Sequence, residues 1–285
     1  MLIHIRDISG MFCDFWEKSN GLNFEEKRLM WKDFHELPNK DIFSYLESIK
    51  NYSIDELEEC FKKYAIHYDK ITIFSDIIKN NINEICKSCS NIFNINNLEL
   101  NFVIMVGQYH ADAFATTLFN ETTAFYFLEK MPELKYLDIV LGHEITHLFQ
   151  FSQFIKEEHE TTMAENIFME GLASFASSII CPGFSKAEYL YFNSQSNQWL
   201  LDCKKYLPRL KSEIIDNIEN TEDFYCKKYF SESNEYTSGI PKRIGYLLGY
   251  DIIAYLNKYY SLDELIRWNS DKAKVEVRNA ILNIV

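Results

Sequence analysis

Two histidines four residues apart, His143 and His147, enclose an acid, Glu144, in the run Gly142-His143-Glu144-Ile145-Thr146-His147. On a helix that spacing is about one turn, so both imidazoles lie on one face. There they can converge on a single divalent cation at ~2.0–2.1 Å, the distance zinc takes from imidazole nitrogen. Glu144 follows the first histidine, so its carboxylate can reach a water on the cation without being a ligand and can accept its proton. The flanking residues Ile139, Val140, Leu141, Leu148 and Phe149 are apolar, which predicts a helix set in the core. Polar side chains on such a helix need partners, and a metal supplies them.

A zinc site that does chemistry has three protein ligands and one open position. Downstream of His147 the candidates are His159, Glu160, Glu165 and Glu170. A third histidine in the metzincin manner would need Gly at position 150, where Gln150 stands. Glu165 and Glu170 fall on the next predicted helix. Glu170 is favoured because Gly171, Ala173 and Ser174 are small enough to let that helix approach the first. Glu165 is read as a surface acid or as an acceptor that orients a histidine. One zinc ion on His143, His147 and Glu170, with Glu144 as the base, is the expected constellation.

The elements that must hold these residues follow from periodicity. Residues 11–95 carry helical spacing, and Ser53 before Asp55 and Glu56 marks a helix start. Residues 98–106, 112–119 and 122–129 are strand candidates, the last two separated by a turn at Asn120 and Glu121. Helical spacing returns after Pro132 and predicts helices over 133–154, 160–180, 186–216, 242–259 and 262–283. The fold class is therefore α+β, mostly helical, with a small sheet. The chain reads as a helical N-terminal region, 1–96, and a catalytic region, 97–285, expected to form one compact unit because no Gly/Ser/Pro-rich linker separates them.

Composition narrows the function classes. The 285 residues are 47% hydrophobic and 25% charged, which is ordinary for a globular chain. The 15% aromatic content is read as core packing before a lined groove. A net charge of −13 repels a phosphate backbone, so nucleic acid is not an expected partner. No apolar run approaches the ~18 residues of a membrane helix, and the N-terminal segment lacks a signal-peptide pattern. Seven scattered cysteines then read as reduced thiols of a cytoplasmic protein. Cys86 and Cys89 form one CxxC without a second pair, so they are expected to be buried side chains.

The HExxH segment followed by Met169-Glu170-Gly171-Leu172-Ala173-Ser174-Phe175 resembles the gluzincin metallopeptidases. The second segment is similar to the Asn-Glu-Gly-Phe-Ala motif of the aminopeptidase N family, with Met169 in place of the Asn. The exopeptidase signature Gly-x-Met-x-Asn of that family is not present upstream, so recognition of a free amine does not carry over. The chain resembles more closely a bacterial family of predicted zinc-dependent proteases of unknown function. The likeness runs over about 134–255 and includes the Gly-Tyr-rich stretch Arg243-Ile244-Gly245-Tyr246-Leu247-Leu248-Gly249-Tyr250. It implies a thermolysin-like zincin core with a small sheet beside the active-site helix.

Further site residues follow from that resemblance. Gluzincins supply a Tyr or His after the third ligand to stabilise the oxyanion, which suggests Tyr246 first and Tyr236 second. Both can equally be buried aromatics with a bonded hydroxyl. Arg243 is a candidate for a substrate carboxylate or for a surface ion pair. Gly245 and Gly249 mark a helix face that packs closely. The strand at 111–117, with Ala113 and Ala115, is the expected edge on which an extended peptide would pair. The expected activity is hydrolysis of a peptide or protein substrate. Alternatives are a zinc-containing binding module without catalysis and hydrolysis of another amide bond. Oligomeric state is not legible.

Overall fold

The computed structural model describes residues 1–49, 54–118, 120–153, 160–233, 236–237 and 239–284. Ser53 and His159, named above, lie outside the described residues. Contacts cluster into two units, each made of discontinuous stretches: Met1–Asn83 with Asn97–Leu134, and Glu84–Asn96 with Lys135–Val285. The sequence had suggested one break, after residue 96.

The first unit holds the sheet. Strand β1 (Leu2–Asp7) is followed by helices α1 (Ser9–Lys18), α2 (Phe24–Trp31), α3 (Lys40–Ile49) and the long α4 (Ile54–Phe93). Strands β2 (Glu99–Met105), β3 (Ala113–Leu118) and β4 (Glu121–Phe127) come next. The strand order is β1-β2-β4-β3, with β2 parallel to both neighbours and β3 antiparallel to β4. β2 is buried from Phe102 to Met105 because it is flanked on both sides, so its sequence reads as a continuous apolar run. β1 is alternately exposed and half-buried, and the sequence reading assigned it nothing. Its signal was the alternation of Ile3 and Ile5 with His4 and Arg6, too short to stand out beside the helices that follow.

Much of the aromatic content of this unit is core. Trp31 stacks on Tyr64 with ring centroids 6.0 Å apart, and Phe12, Phe15 and Phe61 close around them. His35 belongs to the same cluster, 4.6 Å from Trp31, with Nε2 at 2.8 Å from the Val106 carbonyl. Burial pushes its pKa down to about 4, so at neutral pH it is an uncharged core residue whose Nε2–H donates to Val106.

The second unit takes the last turns of α4 from Glu84 onward and then α5 (Leu137–Gln153), α6 (Met163–Ile180), α7 (Lys186–Leu190), α8 (Ser196–Asp216), α9 (Asp223–Phe230), α10 (Ile244–Leu256), α11 (Leu262–Leu265) and α12 (Ser270–Ile284). The stretch read as one helix over 186–216 is broken between Leu190 and Ser196, and α9 was not foreseen. Cys86 and Cys89 are fully buried one turn apart on α4, and burial raises both thiols, Cys86 to about 12. α6 is the centre of this unit, packed between α5 and α10. Gly171 of α6 faces Gly249 of α10, so its small size serves that crossing rather than the one with α5. The α5–α6 crossing uses Gly142 and Ser177: a methyl on Gly142 would stand 3.7 Å from Ser177 Cα, an ordinary contact. No helix of the described residues is long and apolar enough to cross a membrane.

Candidate metal centre

α5 is anchored by Ile139, Val140, Leu141, Ile145, Leu148 and Phe149, all buried, as the apolar flanks of the motif predicted. That anchoring turns His143 and His147 toward α6. α6 begins at a capping box: the Thr162 hydroxyl oxygen accepts the Glu165 N–H, and Glu165 accepts from the Thr162 N–H at 2.7 Å. Glu165 is thus committed to the helix start. The T-x-x-E spacing that signals such a box was present in the sequence. Glu170 stands five residues further on, where α6 passes α5.

The side chains of His143, His147 and Glu170 meet. His143 Nε2 lies 3.1 Å from His147 Nε2 and 3.0 Å from Glu170 Oε2, and His147 Nε2 lies 3.6 Å from the same oxygen. Ligands at ~2.0–2.1 Å in tetrahedral array around one zinc would stand about 3.3 Å from each other, and the three separations bracket that value. The donor set, two imidazoles and one carboxylate, is one that zinc accepts, so the residues present fit the ion. The His147 and His143 side chains keep only 7% and 12% of their surface exposed, whereas Glu170 keeps 25%, which leaves the cluster open on the Glu170 side.

Electrostatics tie the three together. Burial disfavours charge on all of them. On His143 it wins, and the pKa falls below the ordinary histidine value. On His147 the Glu170 carboxylate overrides burial and holds the imidazole up to about 9. The histidines in turn hold Glu170 well below the usual carboxylate range despite its burial. Without a cation, the Glu170 carboxylate favours a proton on His147. Glu144 is buried on the same helix, and its charge adds to the rise at His147.

Gln150 is a residue that the sequence reading passed over except as a departure from another motif. It is 1% exposed. Its side-chain oxygen sits 2.7 Å from His147 Nδ1, and its amide nitrogen donates to the Met169 carbonyl at 3.1 Å. Position 150 is one turn beyond His147, so helical spacing alone could have raised it.

The remaining candidates are distributed as follows. Tyr246 packs its ring 6.0 Å from that of His143 and 5.4 Å, edge to face, from that of Phe230. Arg243 lies over the Tyr246 ring at 4.2 Å, and its Nη1 donates to Glu232 at 3.0 Å. Its backbone is left-handed, with φ 57°, at the N-cap of α10, an uncommon conformation for a residue other than glycine. The carbonyl of its neighbour Lys242 accepts from the Trp199 indole at 2.7 Å. Tyr236 stands against the Lys227 ammonium, 5.2 Å from its ring centre.

Ala113 and Ala115 are on β3, one of the two edge strands of the sheet. The Phe127 N–H donates to the Asp112 carbonyl, which makes positions 112, 114 and 116 the hydrogen-bonded pairs of the β3–β4 ladder. Ala113 and Ala115 therefore aim their N–H groups away from β4.

The chain matches, over residues 71–273, the profile of a family described as "Predicted Zn-dependent protease", whose function is not known. No curated protein and no solved structure matches it.

Proposed function

We propose that this chain, which belongs to the family of predicted Zn-dependent proteases, is a gluzincin-type metallopeptidase that binds one zinc ion through His143, His147 and Glu170 and hydrolyses peptide bonds with Glu144 as the base. The observation that carries the reading is the convergence of two imidazole nitrogens from one helix and a carboxylate oxygen from the next, at 3.0–3.6 Å from one another.

A zinc ion there supplies a Lewis acid for the scissile carbonyl and for the attacking water. The protein does the rest. His143 and His147 present Nε2 to the site from an anchored helix, so little rearrangement accompanies metal binding. Glu144 takes the proton of the attacking water and returns it to the leaving amine, one carboxylate serving as base and then as acid. It neighbours His143 on α5, and its charge is felt at the His147 imidazole. Tyr246, beside His143, is assigned the hydrogen bond to the developing oxyanion, with Tyr236 as second choice. Arg243 would take a substrate carboxylate by exchanging Glu232 for it. An extended peptide would pair along the β3 edge at Ala113 and Ala115, taking the Ala113 N–H from the Asp112 carboxylate that accepts it at 3.0 Å.

The test is a peptide library incubated with the purified protein, with and without chelator, beside the Glu144→Gln variant. Cleavage that needs both the metal and Glu144 supports a peptidase. Zinc bound at full stoichiometry without cleavage of any amide would leave a binding module instead.

A further inference from the structure

Gln150 bridges His147 and the carbonyl of Met169, the residue before Glu170, and its hydrogen bonds are directional. The Met169 carbonyl oxygen can only accept, so the end of the Gln150 amide that faces it must be the NH2 group. The other end, the carbonyl oxygen, then faces His147 Nδ1 at 2.7 Å. That oxygen can only accept, so Nδ1 must carry a hydrogen. In the neutral imidazole the lone pair is then on Nε2, the nitrogen turned toward His143 and Glu170. The reverse amide orientation would set two carbonyl oxygens against each other and place the NH2 group against Nδ1. It would favour the tautomer whose Nε2 cannot bind a cation. A backbone carbonyl of α6 thus dictates, through one side chain, which nitrogen of His147 is available.

The same amide links the ligands in space. Met169 is the residue before Glu170, and Gln150 is one turn after His147. The hydrogen bond to Met169 is a strut from α5 to the α6 turn that carries the third ligand. Gln150 is 1% exposed and its bond to His147 is buried, so water does not compete there.

We propose that Gln150 is the positioning residue of this site: it selects the Nδ1–H tautomer of His147 and holds His147 and Glu170 in register, and thereby sets the affinity for the cation. The inference rests on the metal-site reading above. Loss of such an outer partner typically weakens metal binding ~10–100-fold.

The experiment compares zinc affinity, by competition with a chromophoric chelator, in the wild type, Gln150→Leu and Gln150→Glu. Circular dichroism establishes that each variant is folded. Leu removes both bonds, and the dissociation constant should rise at least ~10-fold. Glu restores the acceptor for Nδ1 but not the donor for Met169, so it should recover part of that loss. In the zinc-loaded wild type, NMR should show an exchange-protected Nδ1 proton on His147 that Gln150→Leu lacks. Wild-type zinc binding with an affinity that Gln150→Leu leaves within threefold overturns the inference while sparing the metal site. Equal weakening in Leu and Glu, with the Nδ1 proton unchanged, overturns the tautomer argument. A wild type that takes up no zinc sinks the metal site itself, and this inference with it.

Discussion

Gly171 of α6 and Gly249 of α10 meet backbone to backbone. A methyl group on Gly171 would stand 2.4 Å from the Gly249 carbonyl oxygen, and one on Gly249 would stand 2.6 Å from the Ile167 carbonyl oxygen. Neither neighbour is a flexible side chain that could swing aside. The helices themselves must part, and Glu170 is carried on the turn that moves.

Gly249→Ala should therefore do two things. It should destabilise the protein by about 1–3 kcal/mol, the ordinary range for overpacking a tight core. It should also weaken zinc binding, although the atoms nearest a methyl at 249 belong to Ile167 and Gly171 and not to a ligand side chain. Denaturant unfolding and chelator competition on one preparation check both. A variant that binds zinc normally after losing that stability would mean that α6 holds Glu170 in place without help from α10.

Replacing Glu144 separates chemistry from binding. Glu144→Gln keeps the size of the side chain and removes the base, while the three ligand residues are untouched. Zinc content should stay at one per chain, and kcat should fall by ~10²–10⁴-fold, the usual contribution of a general base. His143→Ala, by contrast, should lose the metal. Metal analysis and single-turnover kinetics distinguish the two; zinc retained without His143 would show that the imidazole is no ligand.

How far the sequence reaches is clear from these residues. Spacing alone brought His143, Glu144 and His147 onto one helix, because i and i+4 on an apolar-flanked helix leave no other geometry. Glu170 was reached by its small neighbours, yet for a partly different reason: Gly171 faces α10, a partner that no local pattern names. Gln150 stayed hidden because an amide has no motif of its own; its role exists only where the Met169 carbonyl of another helix comes within reach. Strand β1 was missed because six residues of half-exposed edge carry little signal, and its parallel pairing with β2 joins residues about a hundred positions apart. The units were equally illegible, since each is assembled from segments distant in sequence.

Zinc binding should release a proton. Without the ion, the Glu170 carboxylate holds His147 up to about 9, while His143 lies below the ordinary histidine value and is neutral at pH 7. The cation must expel the single proton on His147. Between pH 7 and about 9 the apparent zinc affinity should rise ~10-fold per pH unit and level off above that range. Calorimetry at pH 7 in two buffers of different ionisation enthalpy should give about one proton released per zinc. A value near zero would mean that His147 is already neutral in the metal-free protein.

The first unit carries its own pH signature at Glu129. This acid is 1% exposed; the Gly107 and Tyr109 N–H groups donate to one oxygen, and the other is buried without a hydrogen-bond partner. Burial outweighs those bonds and pushes the pKa up to about 7 from an ordinary 4.5. The folded chain therefore binds this proton more tightly than the unfolded one. Between about pH 4.5 and 7 the unfolded state releases it and the folded state keeps it, so stability falls as pH rises through that window. Above pH 7 both states are ionised and the loss is complete. Glu129→Gln keeps an oxygen for the two N–H groups and has nothing to ionise. Its stability relative to the wild type should improve by about 2–3 kcal/mol between pH 4.5 and 8, read from denaturant unfolding at a series of pH values. Parallel profiles for the two proteins would show that the carboxyl titrates as an ordinary exposed acid, and that water reaches its second oxygen.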